Sequence, residues 1–259
     1  MTNSAIVFNT MVWNKGVLMA RYRFDTIVRL GTFYIFFLLA FMGAESIGGA
    51  NPNFGQAVGG LVVGFMVWTL TTMAFSEFSA TLGAEAGQGT LEQLAMSPTG
   101  LGRVLLSRAT ASLGFQLITG IVFLFVMMTT TGTWLHLPVM SIFPILLLTV
   151  GGVLGLGFLM GGLTLLYKQT GAMLGLMQFG FLALLAMPVK EYPLLKLAPL
   201  SWGNHLLSRV MVEGLTLSTL PRADVLILVA GTAGYMLLGG IVFKLCVDKA
   251  RERGMLGQY

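Results

Sequence analysis

Residues 141–166 read SIFPILLLTVGGVLGLGFLMGGLTLL, without a single charged side chain. A core helix of a water-soluble protein keeps a polar face, and this run has none. Wound as a helix it reaches about 39 Å, more than the roughly 30 Å hydrocarbon layer of a bilayer. Glycine and Pro144 interrupt the leucines, as membrane helices tolerate better than soluble ones. The stretch reads as a membrane span.

Comparable apolar runs lie on both sides of it, at 30–49, 54–76, 109–131, 171–189 and 225–243. With 141–166 they predict an all-α polytopic membrane protein of six transmembrane helices, a single transmembrane domain over residues 1–259. Composition agrees. Of the 259 residues 56% are hydrophobic and only 10% are charged; mean hydropathy is +0.84. An ordinary soluble domain needs more surface charge. The 34 glycines suit helices that pack closely through small side chains. Cys246 stands alone, which excludes an intrachain disulfide and a multi-cysteine metal site. Residues 1–14 lack the basic start and apolar core expected of a cleavable signal.

Net charge is +5, and its placement points to a membrane rather than to nucleic acid. All but four of the 15 Lys and Arg residues fall in segments 1–29, 77–108, 167–170 and 244–259, which the six spans put on one side. The exceptions, Lys190, Lys196, Arg209 and Arg222, share the segment 190–222 on the other side. Positive charge accumulates on the cytoplasmic face, so both termini are expected there, in a plasma or inner membrane.

Two non-spanning segments carry amphipathic patterns. Trp13, Val17, Ala20, Phe24 and Ile27 recur at helical spacing, with Asn14, Lys15, Arg21, Asp25 and Arg29 largely opposite. That predicts an interfacial helix within 1–29, its basic back toward lipid headgroups. In 190–222, Pro193, Pro199 and Pro221 interrupt a Leu- and Val-rich segment. Ser201 is placed to cap a helix whose face carries Leu206, Leu207, Val210 and Met211. Short external helices lying on, or dipping into, the outer leaflet are expected, because non-spanning backbone at membrane depth must be covered by protein or line a cavity.

Enzymatic signals are absent from the sequence. It has no G-x-x-x-x-G-K-[ST] phosphate loop, no H-E-x-x-H and no G-x-S-x-G elbow, and its only histidines are His136 and His205. No catalytic or metal-ligating residue is expected. Polar side chains within the spans are few; Glu45, Gln116 and Gln178 are the candidates for a transport pathway, with headgroup contact or interhelical hydrogen bonding as the plainer role of each.

The longest polar break in the first half of the chain is GQGTLEQLAMSPTG, residues 87–100. Thr90 and Gln93 form a capping-box pattern, and Glu92 sits in the first turn, where a carboxylate suits the positive helix end. Ser97 caps again, with Pro98 at the first helical position. The result is a brief helix with Leu91 and Leu94 on one face and no soluble domain of its own to cover them.

Glu85, then Gly89-Thr90-Leu91-Glu92-Gln93-Leu94, then Ser97-Pro98, resembles the cytoplasmic loop of type-2 ABC exporter permeases, which reads E-x-x-x-G-T-L-E-Q-L followed by Thr/Ser-Pro. The likeness extends to the layout of nearly the whole chain: an amphipathic N-terminal helix, six spans, and a Pro-rich helical external segment before the last. The family often carries several charges before the Gly-Thr, where this chain has Glu85 alone. The resemblance implies that the short helix is a coupling helix, docking on a separate ATP-binding subunit that holds the ATP and Mg. It further implies that the segment bearing Trp13, Val17, Arg21, Phe24 and Arg29 lies beside that dock, and that a second permease copy or a homologous permease completes the pathway. The function so implied is export of an amphipathic drug, lipid or glycolipid. The alternative is an ATP-independent secondary carrier or channel.

Overall fold

The computed structural model describes residues 23–48, 54–87, 101–167, 171–189 and 191–252. Within them the chain forms α1 (Arg23–Gly48), α2 (Phe54–Gly87), α3 (Leu101–Thr131), α4 (Val139–Leu166), α5 (Gly171–Ala186), a 3-10 turn (Pro193–Leu197), α6 (Pro199–Met211) and α7 (Arg222–Glu252). No strand occurs among the described residues. Five helices are long and apolar enough to cross a membrane: Thr26–Gly48, Phe54–Glu77, Ser112–Thr131, Val139–Leu166 and Arg222–Ala250. The protein is a multi-pass helical membrane protein.

The core sits where α2, α4 and α6 meet. Over an 18-residue apolar stretch of each, 78% of α2 is buried, against 6% of α1. Several buried threonines bond to their own helix. Thr69 donates to the Phe65 carbonyl at 2.8 Å, Thr71 to Val67 at 2.7 Å and Thr149 to Ile145 at 2.7 Å. Where no water competes, this back-bonding satisfies a hydroxyl without a partner helix.

Packing of α4 on α7 depends on glycine. A Cβ on Gly155 would overlap the Tyr235 carbonyl, and one on Gly239 would overlap the Gly155 carbonyl. The two backbones touch, as small residues permit in membrane bundles. Thr232 of α7 adds a bond to the Leu148 carbonyl of α4 at 2.9 Å.

Three expectations meet a different geometry. The fifth expected span, 171–189, is the helix Gly171–Ala186, of 16 residues. Its length of about 24 Å falls short of the hydrocarbon layer. The remaining depth is filled by α6. Ser201 donates to the Leu184 carbonyl at 2.9 Å, placing the start of α6 beside the last turn of α5. Pro199 faces Gly152, near the midpoint of α4, while at the other end His136 N donates to the Met211 carbonyl at 2.9 Å. The helix therefore dips to mid-level and climbs back to the loop between α3 and α4.

Second, Ser201 does not cap α6. Ala198 occupies the N-cap without a side-chain bond, and Pro199 opens the helix. Proline's fixed φ and missing N–H suit that first position, leaving the Ser201 hydroxyl for α5. The expected apolar face is present: Leu206, Leu207, Val210 and Met211 are wholly buried, and Leu200 and Trp202 nearly so.

Third, the helices outrun the apolar runs. Residues 23–29, assigned above to an interfacial helix, belong to the same unbroken helix as the first span. Likewise α2 continues through Gly87 and α3 begins at Leu101, so 77–87 and 101–108 of the expected loop 77–108 are helical. Trp13, Val17 and Arg21, and Gly89 through Pro98, lie outside the described residues. At the opposite end Gly132, with φ +66°, terminates α3 in a conformation that a side chain disfavours.

Candidate functional site

Residues Arg29, Thr32, Phe33, Phe36 and Ala40 follow one another at helical spacing on a single face of α1. That face meets α2 through rings. Phe33 stands edge-on to Trp68 at 5.1 Å between centroids, Phe36 does the same at 6.4 Å, and Phe37 meets Phe65 at 5.5 Å. Edge-to-face contact follows the ring quadrupoles and leaves gaps that flat stacking would close. Here the gap is a groove between α1, α2 and α5 with a volume of about 410 Å³. Phe65 and Trp68 of α2, and Gln178, Phe179 and Leu182 of α5, complete its walls.

The floor is cross-braced. Trp68 Nε1 donates to the Gln178 carbonyl oxygen at 3.0 Å, and Gln178 Nε2 donates to Ser76 Oγ at 2.9 Å. Both bonds join α2 to α5, and Phe75 against Phe181 at 5.0 Å extends the contact. α1 is joined to α3 through Tyr34 Oη and Thr130 Oγ1 at 2.8 Å. Two walls of the groove are hydrogen-bonded to each other, and the third meets α2 through rings.

Of the residues singled out in sequence, Arg29 and Gln178 are brought together here, both lining the groove. The other candidates lie elsewhere. Glu45 is exposed on α1 near its end, Phe24 is 82% exposed at its start, and Glu85 falls on the last turns of α2. Gln116 is buried on α3, with no hydrogen-bond partner for Oε1. One helical turn away, Ser112 donates to Glu77 Oε1 at 3.0 Å, tying α3 to α2. The aromatic lining, Phe33, Phe36, Phe65, Trp68 and Phe179, was missed in sequence. The spacing of Phe33, Phe36 and Ala40 was the available signal, since it gives α1 one aromatic face.

At the opposite rim a second polar cluster joins α6 to α7. Trp202 Nε1 donates to the Asp224 carbonyl at 2.8 Å, and Lys196 Nζ lies 5.3 Å from the Trp202 ring centre. Arg209 reaches Asp224 at 3.6 Å and Glu213 at 3.7 Å. These partly exposed ion pairs contribute little stability and serve mainly to orient the segment. Among the described residues no group of three or more His, Cys, Asp or Glu side chains is arranged to hold a metal.

The groove is thus an apolar aromatic slot with Arg29 as the one charged side chain among the described residues that line it. Among the described residues that line it there is no acid–base pair. Fold and site together define a polytopic membrane protein with an aromatic groove between α1, α2 and α5. No family model matches the chain, and no curated protein matches it.

Proposed function

We propose that this chain is the permease subunit of an ATP-driven exporter, moving an amphipathic substrate out of the cytoplasm or the inner leaflet. A separate ATP-binding subunit, carrying ATP and Mg, docks on the segment from Gly89 to Pro98. Two copies of the chain, or this chain and a homologous permease, form the pathway, with both termini in the cytoplasm of a cell bounded by this membrane.

The observation that carries the reading is the length of α2 and α3. The apolar run read from sequence in α2 ends at Ser76, yet the helix continues to Gly87; the run in α3 begins at Ala109, yet the helix begins at Leu101. The extensions come to about 17 Å and about 12 Å of helix. The segment bearing Leu91 and Leu94 thus connects two helices that enter the bundle. A push there travels along helices, where a loose loop would absorb it. The resemblance of that segment to a coupling helix supplies the partner.

The test replaces both leucines. Leu91→Asp with Leu94→Asp should abolish substrate-stimulated ATP hydrolysis by the purified complex, and co-purification of the ATPase with it, while the chain stays inserted in the membrane. Unchanged coupling contradicts the proposal. Gradient-driven flux through proteoliposomes containing this chain alone would establish the carrier or channel reading instead.

A further inference from the structure

We propose that the groove between α1, α2 and α5 binds an uncharged aromatic molecule bearing a hydroxyl, which donates its hydrogen bond to Gln178 Oε1 while the rings lie along the aromatic wall. Such binding is a property of this chain alone and does not depend on the ATPase assignment.

The side-chain amide of Gln178 carries the inference. Ser76 has one hydroxyl hydrogen and gives it to the Thr72 carbonyl at 2.7 Å. Ser76 Oγ can therefore only accept from Gln178, so the amide end that meets it at 2.9 Å is the NH2. That settles an orientation otherwise ambiguous for glutamine and makes the other end the carbonyl. No residue of the chain donates to this Oε1. Thr72 shares one stripe of α2 with Trp68 and Ser76, at i, i+4 and i+8, yet its buried hydroxyl has no partner either. Gln178 lines the groove, and its Oε1 is not among the buried atoms. The groove thus offers an open acceptor near the middle of α5. In a medium of low dielectric an unpaired amide oxygen is costly and a donor that meets it is held more strongly than in water.

The rest of the lining selects against charge. Among the described residues it contains no carboxylate to meet a cation. Arg29 already interacts with another residue. Trp68 Nε1 is engaged by the Gln178 main-chain oxygen, and Thr32 gives its hydroxyl hydrogen to the Val28 carbonyl at 2.9 Å. A charged ligand would leave water for a site with no free counter-ion. Phe33, Phe36, Phe65 and Phe179 instead offer edges and faces to an added ring. The volume of about 410 Å³ lies in the range of sites for one small ligand.

Trp68 lines the groove and reports on its contents. In detergent micelles, a hydroxybiphenyl brominated on its second ring should quench Trp68 of the full chain, measured in the background Trp13→Phe, Trp134→Phe, Trp202→Phe. At equal mole fraction in the micelle, half-quenching should need about fivefold less of it than of its methyl ether, the ratio that one net hydrogen bond gives. Gln178→Met keeps the side-chain length without the acceptor and should erase the preference. Ser76→Ala removes the brace between α2 and α5 but leaves Oε1, and should keep it. The corresponding sulfonate should quench least. Should the triple variant fail to fold, native mass spectrometry of the unaltered chain gives the same readout: hydroxybiphenyl adducts survive activation that strips the ether, and Gln178→Met loses the difference. Equal response to phenol and ether overturns the proposal, as does a preference that survives Gln178→Met or disappears in Ser76→Ala. Tightest binding of the sulfonate, or absence of quenching, overturns it too.

Discussion

Two helices at the edge of the bundle, α1 and α7, face outward to a similar degree yet are attached by different means. Over an 18-residue apolar stretch of each, only 6% of α1 and 17% of α7 is buried. Backbone contact at the Gly155–Gly239 crossing holds α7 to α4, with the Thr232 bond beside it. Rings and the Tyr34–Thr130 bond hold α1. Burial alone therefore does not report how firmly a membrane helix is seated. Dispersion falls steeply with separation, so backbones in contact gain from many atoms at once, whereas rings meeting edge-on keep their partners with room between them. One helix belongs to a fixed block of α2, α4, α6 and α7; the other is a wall leaning on it.

The contrast predicts a graded series. Gly239→Leu should have the largest effect, because the neighbour that must yield is the α4 backbone rather than a flexible side chain. Overpacking of this kind costs about 3 kcal/mol or more. Denaturant titration of the reconstituted chain, followed by loss of helix signal, measures it. Wild-type stability in that variant would break the comparison at its root.

Next come the matched hydrogen bonds. Thr232→Val and Tyr34→Phe each remove one bond between helices, and each should cost about 0.6 kcal/mol, the typical value inside a bilayer. Near-equal losses in the same titration would leave the glycine crossing as the cause of the difference. A Tyr34→Phe loss several times larger would show that α1 hangs on that one bond.

Smallest is Gly43→Leu on α1. A Cβ there meets nothing within 4 Å. The change should stay within about 0.5 kcal/mol of the parent, as surface substitutions do. The same chemical change as Gly239→Leu then gives opposite outcomes on two helices of similar exposure. A large loss would mean that another chain covers this face of α1.

The apolar runs were legible because a bilayer demands about twenty apolar residues in succession, and 141–166 satisfies that without ambiguity. The buried face of α6 was also legible, since Leu206, Leu207, Val210 and Met211 keep helical spacing. Its depth was not. The dip to Gly152 depends on a contact between residues far apart in sequence, and Ser201 found its partner on α5 instead of in its own helix. Helix ends were misjudged for another reason. Hydropathy falls after Ser76, but helix formers such as Ala, Leu and Glu continue through Glu85, and propensity carries the helix beyond the membrane-length part. In the candidate site, Arg29 and Gln178 were each found but not joined, because the groove arises from the packing of three helices. The segment with Leu91 and Leu94 lies outside the described residues, so its short helix stands on sequence alone.

The contrast between wall and block can be measured directly by pulsed electron spin resonance on two label pairs in a Cys246→Ala background. One pair, Leu147→Cys with Leu238→Cys, spans exposed positions on α4 and α7; the other, Leu147→Cys with Leu39→Cys, joins α4 to α1. In lipid nanodiscs the α4–α7 distance should be single and narrow, and the α4–α1 distance broad or divided between two populations. Equal widths, or a broader α4–α7 distribution, would contradict the division of the molecule into a fixed block and a movable wall.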